Sequence, residues 1–248
     1  MTKRVALVTG GNGGIGSAIC RELAVQGNLV VAGYFPPEKE SAEAWQKEMA
    51  DQGISIELAG MDVSSYEDSE RAVAEVAEKF GPVEILVNCA GITRDGTLKK
   101  MPEANWKAVM ATNLDSAFNT TRHVINGMLE KGWGRIINIA SVNGQRGQFG
   151  QANYSAAKAG MHGFTMAVAL ETAAKGITVN TVSPGYIATP MTEAMPEKVL
   201  EAIVNSVPMR RMGKPEEIAN TVAWLASEEN AYTTGANIPV NGGLFTSH

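Results

Sequence analysis

The stretch Val5-Ala6-Leu7-Val8-Thr9-Gly10-Gly11-Asn12-Gly13-Gly14-Ile15-Gly16 decides how the rest of this 248-residue sequence is read. Four aliphatic residues lead into a cluster of glycines, and a segment of helical period runs on from Gly14 to Gln26. Glycines allow a tight turn and a close backbone approach, while unsatisfied N–H groups at a helix start favour negative charge. A strand, a glycine turn and a helix in that order predict a pyrophosphate-bearing ligand at the turn. The spacing Gly10-x3-Gly14-x-Gly16 departs from the usual G-x-G-x-x-G, and an ordinary glycine-rich turn is the alternative if nothing else supports it.

Outward from this turn, strand-like and helix-like segments alternate. After Arg4–Val8, β-branched runs recur at Leu29–Ala32, Ile54–Leu58, Ile85–Val87, Ile136–Ile139, Ile177–Val182 and Ile238–Val240. Helical periods fill Gly14–Gln26, Ala42–Asp51, Glu67–Lys79, Trp106–Glu130, Asn153–Ala174 and Pro215–Ala226. Such alternation predicts an α/β fold whose parallel sheet is covered on both faces. With right-handed crossovers, residues 1–248 form a single doubly wound Rossmann-type domain with a mostly parallel seven-stranded sheet. Its ligands are expected beyond the carboxyl ends of the strands.

Composition narrows the partners. The 21 basic and 26 acidic residues leave a net charge of −5, the wrong sign for a protein whose main partner is nucleic acid. Two cysteines, Cys20 and Cys89, are too few for a disulfide framework and suit a reducing, cytoplasmic setting. The longest strictly apolar runs, Met166–Leu170 and Val222–Ala226, have five residues. A membrane helix needs about 20, so no membrane partner is expected. The apolar patch Val5–Val8 gives no sign of a secretory signal.

The chemistry concentrates after the fifth strand. Tyr154 and Lys158 stand four apart in a helical segment, which places both side chains on one face. A phenol with a pKa of about 10 is a poor acid–base group at neutral pH, and a nearby ammonium favours its ionised form. Ser141 lies just past Ile136–Ile139, where its hydroxyl can hold a substrate oxygen beside that of Tyr154. The three residues together predict proton donation to a carbonyl group. The histidines tell a weaker story: His162 reads as a packed or interface residue, and neither His123 nor His248 has a partner at metal-ligand spacing. No metal is expected.

The turn Thr9-Gly10-x3-Gly14-x-Gly16 and the set Asn113, Ser141, Tyr154 and Lys158 resemble the short-chain dehydrogenase/reductase family in order and spacing, over essentially the whole chain. The resemblance implies a nicotinamide dinucleotide held by Gly10, Asn12, Gly14, Ile15 and Gly16. It also implies that Asp62, followed by Val63, accepts from the adenine amine, and that Asn88, Ala90 and Gly91 shape the cofactor floor. The family usually has a second Asn where this chain has Cys89, a change that reads as packing. Asn113 is implied to bend a helix and hold a water linking Lys158 to solvent. Pro184, Gly185, Ile187 and Thr189 are implied to pack on the nicotinamide and hold its carboxamide. The second strand ends at Tyr34 with no carboxylate before Glu38, which removes repulsion against a 2′-phosphate; NADPH is therefore the expected cofactor. Lys39 is the nearest base, either for that phosphate or as a solvated helix-start residue.

The stretch Ser141–Tyr154 carries three glutamines and one aromatic, and amides there can hold a thioester carbonyl or a pantetheine amide. Together with Ile92-Thr93-Arg94-Asp95 it resembles acetoacetyl-CoA reductases of polyhydroxybutyrate synthesis. That likeness implies an acyl-CoA thioester as substrate, contacted by Asp95, Gln148, Phe149, Gln151 and Tyr186, and a homotetramer as the assembly. Arg94, Lys99 and Lys100 form either a site for a coenzyme A phosphate or a solvated rim. The stretch Pro190–Arg211 is expected to form a mobile lid. Two other functions stay open: a 3-oxoacyl-carrier-protein reductase, and a non-catalytic dinucleotide sensor.

Overall fold

In the strand β1 (Val5–Thr9) every residue is buried, because it runs through the middle of a sheet covered on both sides. The computed structural model describes residues 3–189, 192 and 196–246. Its other strands are β2 (Leu29–Tyr34), β3 (Glu57–Gly60), β4 (Ile85–Asn88), β5 (Gly134–Ile139), β6 (Ile177–Pro184) and β7 (Asn237–Val240). All pair in parallel, in the order β3-β2-β1-β4-β5-β6-β7. The order reverses between β1 and β4, and a crevice opens at such a switch point on the carboxyl edge. This is the doubly wound α/β architecture read from the sequence.

Two apolar layers sandwich the sheet. On one face Ala6, Val8, Val30, Ile137 and Val182 pack against α1 (Gly14–Val25), α2 (Lys39–Asp51) and a late helix, Pro215–Ala226. On the other, Val5, Leu7, Val31, Leu86 and Ile136 pack against α3 (Tyr66–Phe80) and the helices Ser116–Lys131 and Ala152–Thr172. Alternate residues of one strand face opposite layers, as the period of two demands.

Three local departures from the expected elements have physical causes. The third strand starts at Glu57 rather than Ile54, because the Ile54 N–H closes the end of α2 on the Met49 carbonyl at 2.9 Å. The long helix expected over Trp106–Glu130 is α4 (Glu103–Met110) and α5 (Ser116–Lys131), separated by a π-helical turn at Ala111–Asp115. The polar stretch after Ser141 contains a short helix, α6 (Val142–Arg146), before α7 (Ala152–Thr172). The expected lid contains α8 (Glu197–Ser206), and α9 (Pro215–Ala226) follows it, while 190, 191 and 193–195 lie outside the described residues.

A hydrogen-bonded ladder of buried side chains ties these layers together. Thr120 of α5 donates to Asn88 Oδ1 at 2.6 Å, and Asn88 Nδ2 donates to Asn138 Oδ1 at 2.8 Å. Asn138 Nδ2 donates to Thr165 Oγ1 of α7 at 2.8 Å, which also accepts from Thr181 of β6 at 2.8 Å. Replacing Asn138 by Leu strands Asn88 and Thr165 in a dry interior. Asn138→Leu is therefore expected to lower unfolding stability by about 3 kcal/mol, seen as a lower urea midpoint at an unchanged slope.

Candidate active site

The carboxyl ends of β4, β5 and β6 and the start of α7 bring the sequence-predicted residues together. Lys158, only 3 % exposed, donates from Nζ to the Ile139 carbonyl at 2.7 Å and lies 3.7 Å from Met161 Sδ. Its ammonium is 5.8 Å from the Tyr154 ring centroid, so the two share one helix face as their spacing predicts. Helix α6 presses directly on this turn: a Cβ at Gly144 would stand 2.7 Å from the Lys158 carbonyl carbon. Asn113 sits in the π turn, where its amide clasps the Ile92 backbone, accepting from N and donating to O at 2.8 Å each. Asn113 Oδ1 and Lys158 Nζ come within 3.3 and 3.6 Å of where a Cβ on Gly91 would stand. The missing side chain leaves a cradle between an amide and an ammonium.

Ser141 caps α6, its Oγ accepting from the Asn143 N–H at 3.1 Å. Its own hydrogen remains to donate toward the Tyr154 hydroxyl. The electrostatics depart from expectation in one respect. In this chain by itself the Tyr154 hydroxyl titrates above its ordinary value, chiefly because it is buried; the Ser141 hydroxyl pulls it down, and the Cys89 and Asp95 side chains push it up. Lys158 does not overcome that burial, and its own pKa falls from 10.5 to about 8 because charge is costly in the interior. A protonated phenol is nevertheless the form that gives a proton away. Burial also lifts the Cys89 thiol to about 11, so it packs as a neutral group. The His162 pKa is lowered by burial and by the Lys158 charge, and its Nε2 has no partner among the described residues.

The glycine turn fits an anionic ligand. A Cβ at Gly16 would overlap the Gly10 carbonyl oxygen, so the helix can start this close only on glycine. Helix α1 has no side-chain cap and no acid in its first turn, which leaves its N–H groups for a phosphate. Gly10, Asn12, Gly14 and Ile15 lie on this turn, beside β4 and the segment Ala90–Gly91 that follows it. Asn88 itself is turned inward, into the ladder. Tyr34 ends β2 with its hydroxyl over Gly60; Lys39 is exposed and pairs with Glu43 at 3.7 Å. Asp62 accepts from the backbone N–H and the hydroxyl of Ser64, and Val63 follows it above α5, its carbonyl held by Asn119. Pro184 closes β6; Gly185 packs against Asn241, Ile187 bridges to Gly213, and the Thr189 N–H donates to Thr192 Oγ1 at 2.8 Å.

The candidate substrate residues divide. Gln151 and Asp95 meet, Nε2 donating to Oδ2 at 2.9 Å. Phe149 is 88 % exposed at the rim, Gln148 is exposed beside Arg146, and Tyr186 lines a separate hollow of about 340 Å³ with Ile187 and Met209. Arg94, Lys99 and Lys100 are all exposed. Two residues escape sequence reasoning. Asn153 donates to the Arg94 carbonyl at 3.0 Å and accepts from the Tyr154 N–H at 2.8 Å, anchoring the helix start. Asn143 donates to Gln151 at 2.9 Å. Nothing in spacing or periodicity singles them out, although a run of amides beside a candidate tyrosine is itself a hint.

Comparison with known proteins bears on this geometry. A family model described as enoyl-(acyl carrier protein) reductase matches residues 10–245. The chain is 62% identical over 242 residues to an acetoacetyl-CoA reductase of Allochromatium vinosum, covering 98% of each chain. It is 53% identical over 244 residues to an acetoacetyl-CoA reductase of Cupriavidus necator, covering 98% of this chain and 99% of that one. A 3-oxoacyl-(acyl-carrier-protein) reductase of Vibrio cholerae is 46% identical over 242 residues, covering 98% of this chain and 97% of its own.

Burial of Lys158 has a consequence for stability. Between about 8 and 10.5 the unfolded chain holds a proton that the folded chain releases, so stability rises with pH across that window. Below about 8 both states are protonated and the cost of burying the charge is fully present. Urea midpoints of the wild-type chain are expected to climb from pH 8 to about 10 relative to those of Lys158→Met; parallel pH curves for the two proteins would contradict the burial.

Proposed function

The chain belongs to the short-chain dehydrogenase/reductase family, and we propose that it reduces acetoacetyl-CoA to (R)-3-hydroxybutyryl-CoA with NADPH, as a step of polyhydroxybutyrate synthesis. The observation that supports this most is the convergence of Ser141, Tyr154 and Lys158 beyond the carboxyl edge of the sheet, next to a glycine turn suited to a dinucleotide. Acetoacetyl-CoA reductase relatives at 62% and 53% identity point to the same substrate.

In this reading the glycine turn and the first turn of α1 hold the pyrophosphate, and the Gly91 cradle between Asn113 and Lys158 takes the ribose side of the nicotinamide. When bound, NADPH supplies a hydride to the C3 carbonyl carbon of the thioester. Ser141 turns its hydrogen from the Tyr154 hydroxyl to the carbonyl oxygen, and Tyr154 gives its phenolic proton to that oxygen as negative charge develops there. An alkoxide is a stronger base than a phenolate, so a phenol whose pKa is raised by burial still donates downhill. Lys158 then offsets the charge left on Tyr154. The protein works in the cytoplasm as a homotetramer, for which the exposed Met166 and Leu170 of α7 offer an apolar face. Strands drawn from the length of the described chain support one domain.

Tyr154→Phe is expected to lower kcat for acetoacetyl-CoA by about a thousandfold while leaving the NADPH dissociation constant nearly unchanged. Full activity in that variant would overturn the assignment. In a panel of thioesters assayed with NADPH and with NADH, acetoacetyl-CoA with NADPH should give the highest kcat/KM. A preference for acetoacetyl-carrier protein would move the reading to the carrier-protein reductases.

A further inference from the structure

A polar strap crosses the cleft beside Tyr154. On one side is Asp95, in the segment after β4; on the other is Ser141, at the end of β5. Gln151 Nε2 donates to Asp95 Oδ2, Gln151 Oε1 accepts from Asn143 Nδ2 at 2.9 Å, and the Asn143 N–H donates to Ser141 Oγ at 3.1 Å. A backbone bond from Gly96 N to Gly150 O at 2.8 Å joins the same two segments.

The direction of this strap is dictated by its charged end. An ionised carboxylate only accepts hydrogen bonds, so Asp95 obliges Gln151 to turn its NH2 outward. That turns Gln151 Oε1 toward residue 143, which must then be a donor. Asn143 is buried, and presenting Nδ2 leaves its Oδ1 buried without a partner among the described residues. An unpartnered buried oxygen is destabilising, so this is not the side chain that fold stability alone would select.

We infer that Asn143 is a positioning residue for the acyl thioester: through Gln151 it holds the Asp95 segment in register with the Ser141 wall, which sets the cleft into which the acyl group must fit. This rests on the proposed reduction of acetoacetyl-CoA. Asp95 is also near enough to Tyr154 for its charge to act on the phenol, so where the strap holds that carboxylate matters to the proton donor as well as to the substrate.

Asn143→Asp keeps the shape but offers Gln151 an acceptor in place of a donor. It is expected to raise KM for acetoacetyl-CoA about tenfold, with smaller changes in kcat and in the NADPH dissociation constant. Adding Asp95→Asn lets the strap run in reverse, with the new amide at 95 donating to Gln151 Oε1 and Gln151 Nε2 donating to the new carboxylate at 143. The double variant should therefore recover most of the melting temperature that each substitution alone loses, while its KM stays raised because Asp95 is itself an expected substrate contact. An unchanged KM in Asn143→Asp, or a double variant that melts no higher than the less stable single one, would overturn the proposal. If Asn143→Asp folds poorly, Asn143→Ala removes the donor without adding charge and should show the same KM rise. Absence of thioester reduction by the wild-type chain would instead sink the substrate reading; recovery of melting temperature in the double variant would then still report whether 95 and 143 are coupled, and its failure would overturn the strap as well.

Discussion

The hydrogen bonds from Thr120 through Asn88 and Asn138 to Thr165 carry more of this structure's purpose than any single apolar contact. Apolar burial holds helices on a sheet without specifying their position along it, because the hydrophobic effect has no direction. A polar ladder in a dry interior does have direction, since each member misplaced is a member unsatisfied. Here it joins α5 and α7 to β4 and β5, the four elements that carry or adjoin Asn113, Tyr154, Lys158 and Ser141. Relative placement of these groups thus depends on four polar side chains buried between sheet and helices.

Above that ladder the site sets function against stability. Lys158 is buried with one strong acceptor, the Ile139 carbonyl, and among the described residues no carboxylate pairs with it. A buried ammonium of this kind is costly, and a nonpolar side chain would fill the space more cheaply. Cys89 does not offset that cost, its own thiol being pushed up to about 11, and burial remains the larger influence on Lys158. The expense makes sense if the amine's field is needed when a negative charge is left on the neighbouring phenol.

Much of this was legible in the sequence because the signals were local. β-Branched runs located six strands to within a few residues, and the spacing of Tyr154 and Lys158 correctly put them on one face. The third strand slipped because Ile54 looks like strand but serves the end of α2. The π turn was hidden, since five residues wound one way or another have the same letters and the same apolar spacing. Asn143 was passed over for a related reason: its partners are eight residues away on Gln151 and, through it, on Asp95, and no periodicity joins them. The fall in the Lys158 pKa and the rise for Tyr154 could not be read at all before burial was known.

The π turn at Ala111–Asp115 also makes chain length matter here more than residue type. A π turn stores one residue more than a regular helix would use. Loss of a single codon within it would yield an unbroken helix and leave the packing of α5 on α3 intact, so the chain would still fold. The flanking turns would keep their faces, because four residues of α-helix turn the chain about as far as five of π-helix, but the bulge that carries the Asn113 amide to the Ile92 backbone would be gone. Such a product would keep its fold and lose that clasp, and ordinary measures of expression or solubility would not tell it from its parent.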